Sequence, residues 1–250
     1  MRCLQSLKMS RLTLSYAGDQ ISILPGVYNE NATINVDLEL HREGHVGECV
    51  FVSRFESCLL VEGCKVILKN IGLCVEEGAL MHHALHIDGG EVDMDACEIF
   101  GGLYACFACS GSTLTANQSR FHSAYSFGVT CLNSNANLTD SFCFRNQEDG
   151  FNISGGTSKA TFYRCRIADN KCHGIHVHDG AELEMDKTEV LRNGQCGICI
   201  TGSDDQFLRA GVGETKFSSV KTKNSKVKSN DWNGIMVVDG SAQVCNVFHM

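Results

Sequence analysis

Acid–base side chains fall at matched places in this sequence. Asp149 stands one residue before Gly150, and His173 one residue before Gly174. Asn152 and His176 follow the same two glycines at an equal distance, with His178 and Asp179 just beyond His176. A carboxylate beside an imidazole raises the imidazole's proton affinity and tunes it for general acid–base work. Asp149, His173 and His176 are therefore the catalytic candidates if the chain runs a reaction. Asn152, His176, His178 and Asp179 are the candidate binding surface. Arg145 and Arg192, near another corner, carry the planar fork that holds an acidic sugar. His82, His83 and His86 crowd together, and the pairs Cys106/Cys109 and Cys196/Cys199 have the spacing of zinc half-sites. Residues three apart on a strand face opposite ways, so neither cysteine pair converges. No metal ligand and no cofactor is assigned.

The matched places come from a repeat. GFNISGG, GIHVHDG and GICITG open at Gly150, Gly174 and Gly197, each with an asparagine four residues earlier: Asn146, Asn170 and Asn193. Fainter copies open at Ala84, Ala105, Gly128 and Gly234, the last again preceded by an asparagine, Asn230. From Ala84 the intervals are 21, 23, 22, 24 and 23 residues, then 37 to Gly234. A fixed period in this range marks a solenoid, whose units bury their faces only by stacking on neighbours. Within each copy the alternation has period two: Ile175 and Val177 point one way, His176 and His178 the other. Leu183 and Met185 mark a second short strand, and Thr188 and Val190 a third. Three strands and three turns leave no room for a helix, and the leucine and asparagine pattern of a leucine-rich repeat is missing. The fold class is all-β: a right-handed parallel β-helix of about nine coils.

Stacking places equivalent residues one above another. Asn146, Asn170 and Asn193 form one file, whose amides bond one another and the turn backbone. Ser141, Cys165, Thr188 and Ser225 form a second, and Cys143, Ile167, Val190 and Val227 a third. Glycine at the coil heads suits a tight bend or a positive φ. Leu4, Leu7 and Leu12 lie on one side of an amphipathic segment, so residues 1–16 are expected to form a helix capping the solenoid's open end, with the β-helix over 17–250. The long interval before Gly234 predicts a loop or widened turn within 202–224, and the lysines Lys216, Lys221, Lys223, Lys226 and Lys228 read as a solvated face.

The net charge of −8 argues against a nucleic-acid partner, and no apolar run is long enough to span a membrane. The fifteen cysteines are an odd number spread through the repeats, where cysteine acts as a small hydrophobe. With no signal-like apolar core in the first residues, they point to a reducing compartment, cytoplasmic or nuclear. The sequons at Asn31, Asn117, Asn137 and Asn152 point the other way, to a secreted chain.

The opening Gly18-Asp19-Gln20-Ile21, continued by Leu24-Pro25-Gly26-Val27-Tyr28-Asn29-Glu30 and then by glycine-headed coils, resembles the pectin-lyase-like right-handed β-helix superfamily. The resemblance covers residues 17 to 248 and implies a fold that hosts polysaccharide lyases, hydrolases, esterases and epimerases. It also hosts intracellular proteins such as the F-box-only protein 11 type of ubiquitin-ligase adaptor and the Shc SH2-domain-binding proteins. The cysteine-rich, proline-poor coils are more similar to that intracellular branch. The enzymes' residue patterns do not carry over: the nearest match to a Gly-His-Gly step is Cys172-His173-Gly174, and the Asp204-Asp205 pair lies away from it. The resemblance thus implies a non-catalytic recognition scaffold for a protein partner, such as the substrate-recognition part of a ubiquitin-ligase adaptor. The alternative is a carbohydrate-active protein that binds or cleaves an acidic polysaccharide around Asp149, His173 and His176.

Overall fold

A computed structural model describes residues 2–4, 16–42, 49–76, 81–202 and 216–245. Its strands are short and recur in threes. Lys159–Tyr163, Arg166–Ala168 and Ile175–His178 make one coil, and the next begins with Glu182–Asp186 stacked on Lys159–Tyr163. Every pairing between named strands is parallel, and each joins a strand to its equivalent one coil away. Three sheets result, of eleven, nine and nine strands, which gives a solenoid of about nine turns. No helix occurs among the described residues, and none is long and apolar enough to cross a membrane.

The core is a set of vertical files. Cys143, Ile167, Val190 and Val227 stack in the second sheet as expected, all fully buried, and Ile99 and Phe121 continue the file below. Cys106 and Cys131 take the places of aliphatic residues in the third sheet, between Leu85 and Val129 and between Ala108 and Ile153. The cysteines from Cys49 to Cys245 are all unpaired thiols.

Two polar files tie the turns to one another. Asn230, Asn193, Asn170 and Asn146 form a ladder in which each lower amide donates to the next Oδ1, at 2.9, 3.0 and 2.9 Å. The same Oδ1 atoms accept the backbone N–H of the residue one coil below, down to Ala124. At the corner between the first and second sheets, hydroxyls do this work: Cys165 N–H donates to Thr188 Oγ1 and Thr188 N–H to Ser225 Oγ, as the second file requires. Ser141 belongs to it, and Cys97 and Ser119 extend it.

Two expectations need correction. Residues 2–4 are not the first turn of a capping helix. Arg2–Leu4 is a strand paired in parallel with Asp19–Ile23, satisfying the edge backbone directly, where a helix would only have covered it. Residues 5–15 of the expected helix lie outside the described residues. Within 202–224, residues 203–215 lie outside the described residues, but Ser218–Lys223 is a regular strand on Glu182–Asp186. The second correction concerns the coil-head glycines, which do not have positive φ. They are required by close approach: a Cβ on Gly174 would lie 2.6 Å from the Gly197 carbonyl oxygen and 2.7 Å from Asn193 Nδ2. Positive φ belongs instead to the corners, at Asp140, Arg164 and Lys187 between the first and second sheets and at Arg145, Asp169 and Arg192 between the second and third.

Candidate functional site

Strand pairing brings the sequence candidates together on the outward face of the third sheet. Asn152 pairs with His176, and Ser154 with His178. Asp149 and His173 sit at the corner just before, one coil apart, with Gly150 N–H donating to the His173 carbonyl. Asp149 Oδ1 accepts the backbone N–H of His173 at 2.7 Å, and its Oδ2 lies 3.7 Å from His176 Nδ1. The His173 and His176 rings are 5.5 Å apart, and His176 and His178 stack at 4.6 Å. Beyond them, His178 Nδ1 lies 2.8 Å from Asp179 Oδ2, which also accepts from Ser154 Oγ at 2.9 Å. Asn152 Oδ1 is 3.3 Å from His178 Nε2.

The electrostatics differ from the sequence expectation. Asp149 is only 4% exposed, and burial pushes its carboxyl up to about 7 despite the stabilising His173 N–H; Glu148 adds to the rise. Burial, followed by the neighbouring His178 and His173, pulls His176 down to about 4, against a small opposing effect of Asp179. Burial lowers His173 as well. Desolvation is the leading influence on both imidazoles. Near pH 7 His176 is therefore neutral and Asp149 is close to its own midpoint, so their contact is not an ion pair. Most polar atoms of the cluster are already engaged: His176 Nε2 meets Thr201 Oγ1 at 3.1 Å, and His173 Nδ1 accepts Cys196 N–H at 3.2 Å.

The remaining candidates separate. Arg192 is bound through two hydrogen bonds to Asp169, at 2.8 and 2.6 Å, and Arg145 lies over the Phe144 ring at 6.0 Å, so neither reaches the cluster. His83 and His86 pack at 5.4 Å among Tyr104 and Phe107 rather than around a common centre. Cys106 points inward and Cys109 outward. No group of three or more histidine, cysteine, aspartate or glutamate side chains converges on a metal position among the described residues.

The first sheet carries a feature that sequence reasoning missed. Near its C-terminal end an open trough of about 350 Å³ runs between two outward files. One file is Thr161, Glu184, Lys221 and Gln243; the other is Tyr163, Asp186, Lys223 and Cys245. The strands' own backbone at Phe162, Met185 and Thr222 forms the floor. Carboxylates and ammonium groups alternate from coil to coil: Glu184 Oε1 lies 3.5 Å from Lys221 Nζ and 3.7 Å from Lys159 Nζ. At the edge, the Tyr163 hydroxyl receives a 3.0 Å hydrogen bond from Lys187 Nζ, and the Arg164 guanidinium lies 4.4 Å over its ring. The one available signal was the repeated Thr/Glu/Lys alternation at matching coil positions.

The model of the right-handed β-helix region matches residues 49–209. The chain belongs to the right-handed β-helix family. This β-helix is similar in fold to a periplasmic alginate epimerase, at a TM-score of 0.60 and 13% identity over 94% of this chain and 61% of that one. It is similar too to the enzymatically active domain of tailspike protein 2 of bacteriophage CBA120, at a TM-score of 0.75 and 11% identity over 93% and 39% of the two chains. A pectate lyase matches at a TM-score of 0.59 and 10% identity, over 96% and 72%. The β-helix thus spans about three-fifths of the epimerase and two-fifths of the tailspike domain. No curated protein is significantly similar to it in sequence.

Proposed function

We propose that this β-helix is the working part of a carbohydrate-active protein, and that an extended acidic polysaccharide lies along the trough of the first sheet. The structural neighbours named above favour this reading over recognition of a protein partner. The observation that carries it is the trough itself. It is open at the surface, it follows the solenoid, and it repeats hydrogen-bonding and charged groups once per coil. Strands about 4.8 Å apart present those groups at a regular pitch to a polymer of regular pitch. Lys221 and Lys223 pair with the sugar carboxylates; Glu184, Asp186 and Thr161 accept from the sugar hydroxyls. The Asp149–His176 cluster makes a poorer site, because its polar atoms are mostly satisfied and its carboxylate is buried.

The test is binding to polygalacturonate and alginate by affinity electrophoresis. Lys221→Ala with Lys223→Ala should weaken binding about tenfold or more, and added salt should weaken it further, as for any exposed charge contact. Loss of binding in Asp149→Asn or His176→Ala, with the lysine variant unaffected, would move the site to the third sheet. Absence of binding to every polyuronate would remove the reading altogether.

A further inference from the structure

The outward face of the second sheet carries two unlike files. One is mostly apolar: Phe100, His122, Phe144, Ala168 and Leu191, with the first three rings stacked at 5.2 and 4.8 Å. The other stands two residues earlier on each strand. It runs Glu98, Arg120, Phe142, Arg166, Glu189 and Lys226. That charged run is bounded: Val50 and Gly72 precede Glu98, and Lys226 lies on the last strand of the sheet. Phe142 is 42% exposed in the middle of it, and the side chains of Arg120 and Lys226 are 57% and 51% exposed. The order of charges complements its own reverse. Turned end for end about a point between Phe142 and Arg166, the file sets Glu98 opposite Lys226, Arg120 opposite Glu189 and Phe142 opposite Arg166. Every facing pair then attracts, the last as a cation over a ring. A turn centred on Phe142 itself would set Arg120 opposite Arg166 and Glu98 opposite Glu189, all of like sign.

We propose that two copies of this chain meet on this face, antiparallel, about a two-fold axis lying along the strands between the coils of Phe142 and Arg166. Such an axis sets each file against itself and keeps the strands of the two sheets aligned, as sheets packed face to face require. In the apolar file it sets Phe144 against the small Ala168 of the second copy, and His122 against Leu191. Packed sheets lie about 10 Å apart, a gap that a glutamate and an arginine or lysine bridge together. Contacts within one copy leave capacity for this. Arg120 reaches Glu98 only at 3.9 Å, and Lys226 uses one of its three donors on Glu189, at 2.9 Å. Six coils span about 24 Å, so the contact covers roughly 500 Å² of each copy, which makes a weak and reversible dimer. The proposal is independent of the polysaccharide reading, because the trough lies on the first sheet.

Sedimentation velocity over a concentration series reads the self-association. The wild-type chain should pass from monomer to dimer with a midpoint of roughly 10–100 µM, and added salt should raise that midpoint. Arg120→Glu sets two carboxylates against each other at both ends of the contact, and Glu189→Arg does the same with two guanidinium groups. Each variant alone should raise the midpoint about tenfold or more. Mixed in equal amounts, the two variants face each other with opposite charges at both places, so the mixture should associate within about threefold of wild type. A variant that failed to fold would not be rescued in this way. Phe142→Lys, which faces the partner's Arg166 with a like charge, gives an independent reading at the centre and should also lose the dimer. A wild-type chain that stays monomeric throughout the series overturns the proposal. So does undiminished association of Phe142→Lys or of either charge variant, or a mixture of folded variants that associates no better than its components.

Discussion

The corner before the third sheet is built in two different ways along one solenoid. In the C-terminal coils, glycine heads each coil at Gly128, Gly150, Gly174 and Gly197, and the asparagine ladder lies against it with no room for a Cβ. In the coils before them, alanine heads the coil at Ala84 and Ala105, both fully buried. There the residues just ahead of the head stack as rings: His83 on Tyr104 at 4.8 Å and Tyr104 on Phe127 at 5.4 Å. In the same file one coil further on, the ring gives way to the Asp149 carboxyl and then to His173. The backbone path differs as well: Ala105 follows Phe100 by five residues, with Gly101 and Gly102 at positive φ, whereas Gly150 follows the equivalent Phe144 by six, with Arg145 at positive φ. One region holds its turns by buried amides that demand close backbone approach, the other by stacked rings that tolerate a methyl group.

The largest expected effect is a substitution that forces one solution onto the other region. Gly174→Ala puts a methyl group against a carbonyl oxygen and an amide of the ladder, neither of which can retreat without breaking its own bond. It should cost about 3 kcal/mol or more, read from the urea midpoint. Asn170→Ala should approach the same loss. It removes the Oδ1 that accepts both Asn146 N–H and Asn146 Nδ2, and each buried donor left unmade costs about 1–3 kcal/mol. Ala105→Gly, at the equivalent place in the ring-stacked region, should cost only about 1 kcal/mol. If all three lie within error of one another, the two corners are not built differently.

Much of this architecture was legible because its signals are periodic. The coil intervals, the alternation at Ile175–His178 and the asparagines Asn146, Asn170 and Asn193 each report a position that recurs, and stacking turns recurrence into contact. What was hidden depends on single events. A three-residue parallel strand such as Arg2–Leu4 carries no local pattern of its own, while in the sequence Leu4 falls at helical spacing from Leu7 and Leu12. The trough was concealed because Tyr163, Asp186 and Lys223 come from separate coils, and alternating charge reads as solvated surface. At the third sheet the neighbours of Asp149 were foreseen but its protonation was not. Proximity to a histidine is visible in a repeat; burial of the carboxyl is set by the surrounding corner.

Two buried groups, His83 in one region and Asp149 in the other, respond to pH in opposite senses. Burial pulls His83 from 6.5 down to about 3, so the unfolded chain binds a proton there that the native state refuses. That contribution to stability is present above pH 6.5 and is lost as pH falls toward 3. Asp149 rises from 3.8 to about 7, so the native state keeps a proton that the unfolded chain releases. Its contribution is present below 3.8 and is lost as pH rises through 7. Between about pH 4 and 7 the two effects oppose, and His176, drawn down to about 4, acts with His83. Asp149→Asn keeps an acceptor for His173 N–H and removes the titration. Stability should then rise more steeply across that window, by at most about 1.4 kcal/mol per pH unit. His83→Phe keeps a ring in the stack and should flatten the same slope. Urea midpoints collected from pH 4 to pH 8 decide, and equal slopes in all three proteins would mean that neither group titrates as its burial requires.

The smallest effect sharpens the contrast from the other side, at a place where glycine would be welcome and is absent. Arg192 holds φ +53°, a conformation that costs a residue with a Cβ roughly 1 kcal/mol relative to glycine. Its guanidinium recovers part of this through Asp169, whose own φ is +59°, but both side chains are well exposed and such a pair is worth about 1 kcal/mol at most. Arg192→Ala gives up the ion pair and keeps the backbone cost. Arg192→Gly gives up the ion pair and relieves the backbone, so it should be at least as stable as the alanine variant and close to wild type. The sign of the glycine–alanine difference is then opposite at Arg192 and at Gly174, two positions on equivalent turns of neighbouring coils between the second and third sheets. An alanine variant more stable than the glycine one at Arg192 would show that the corner φ is imposed by the chain on either side and costs nothing there.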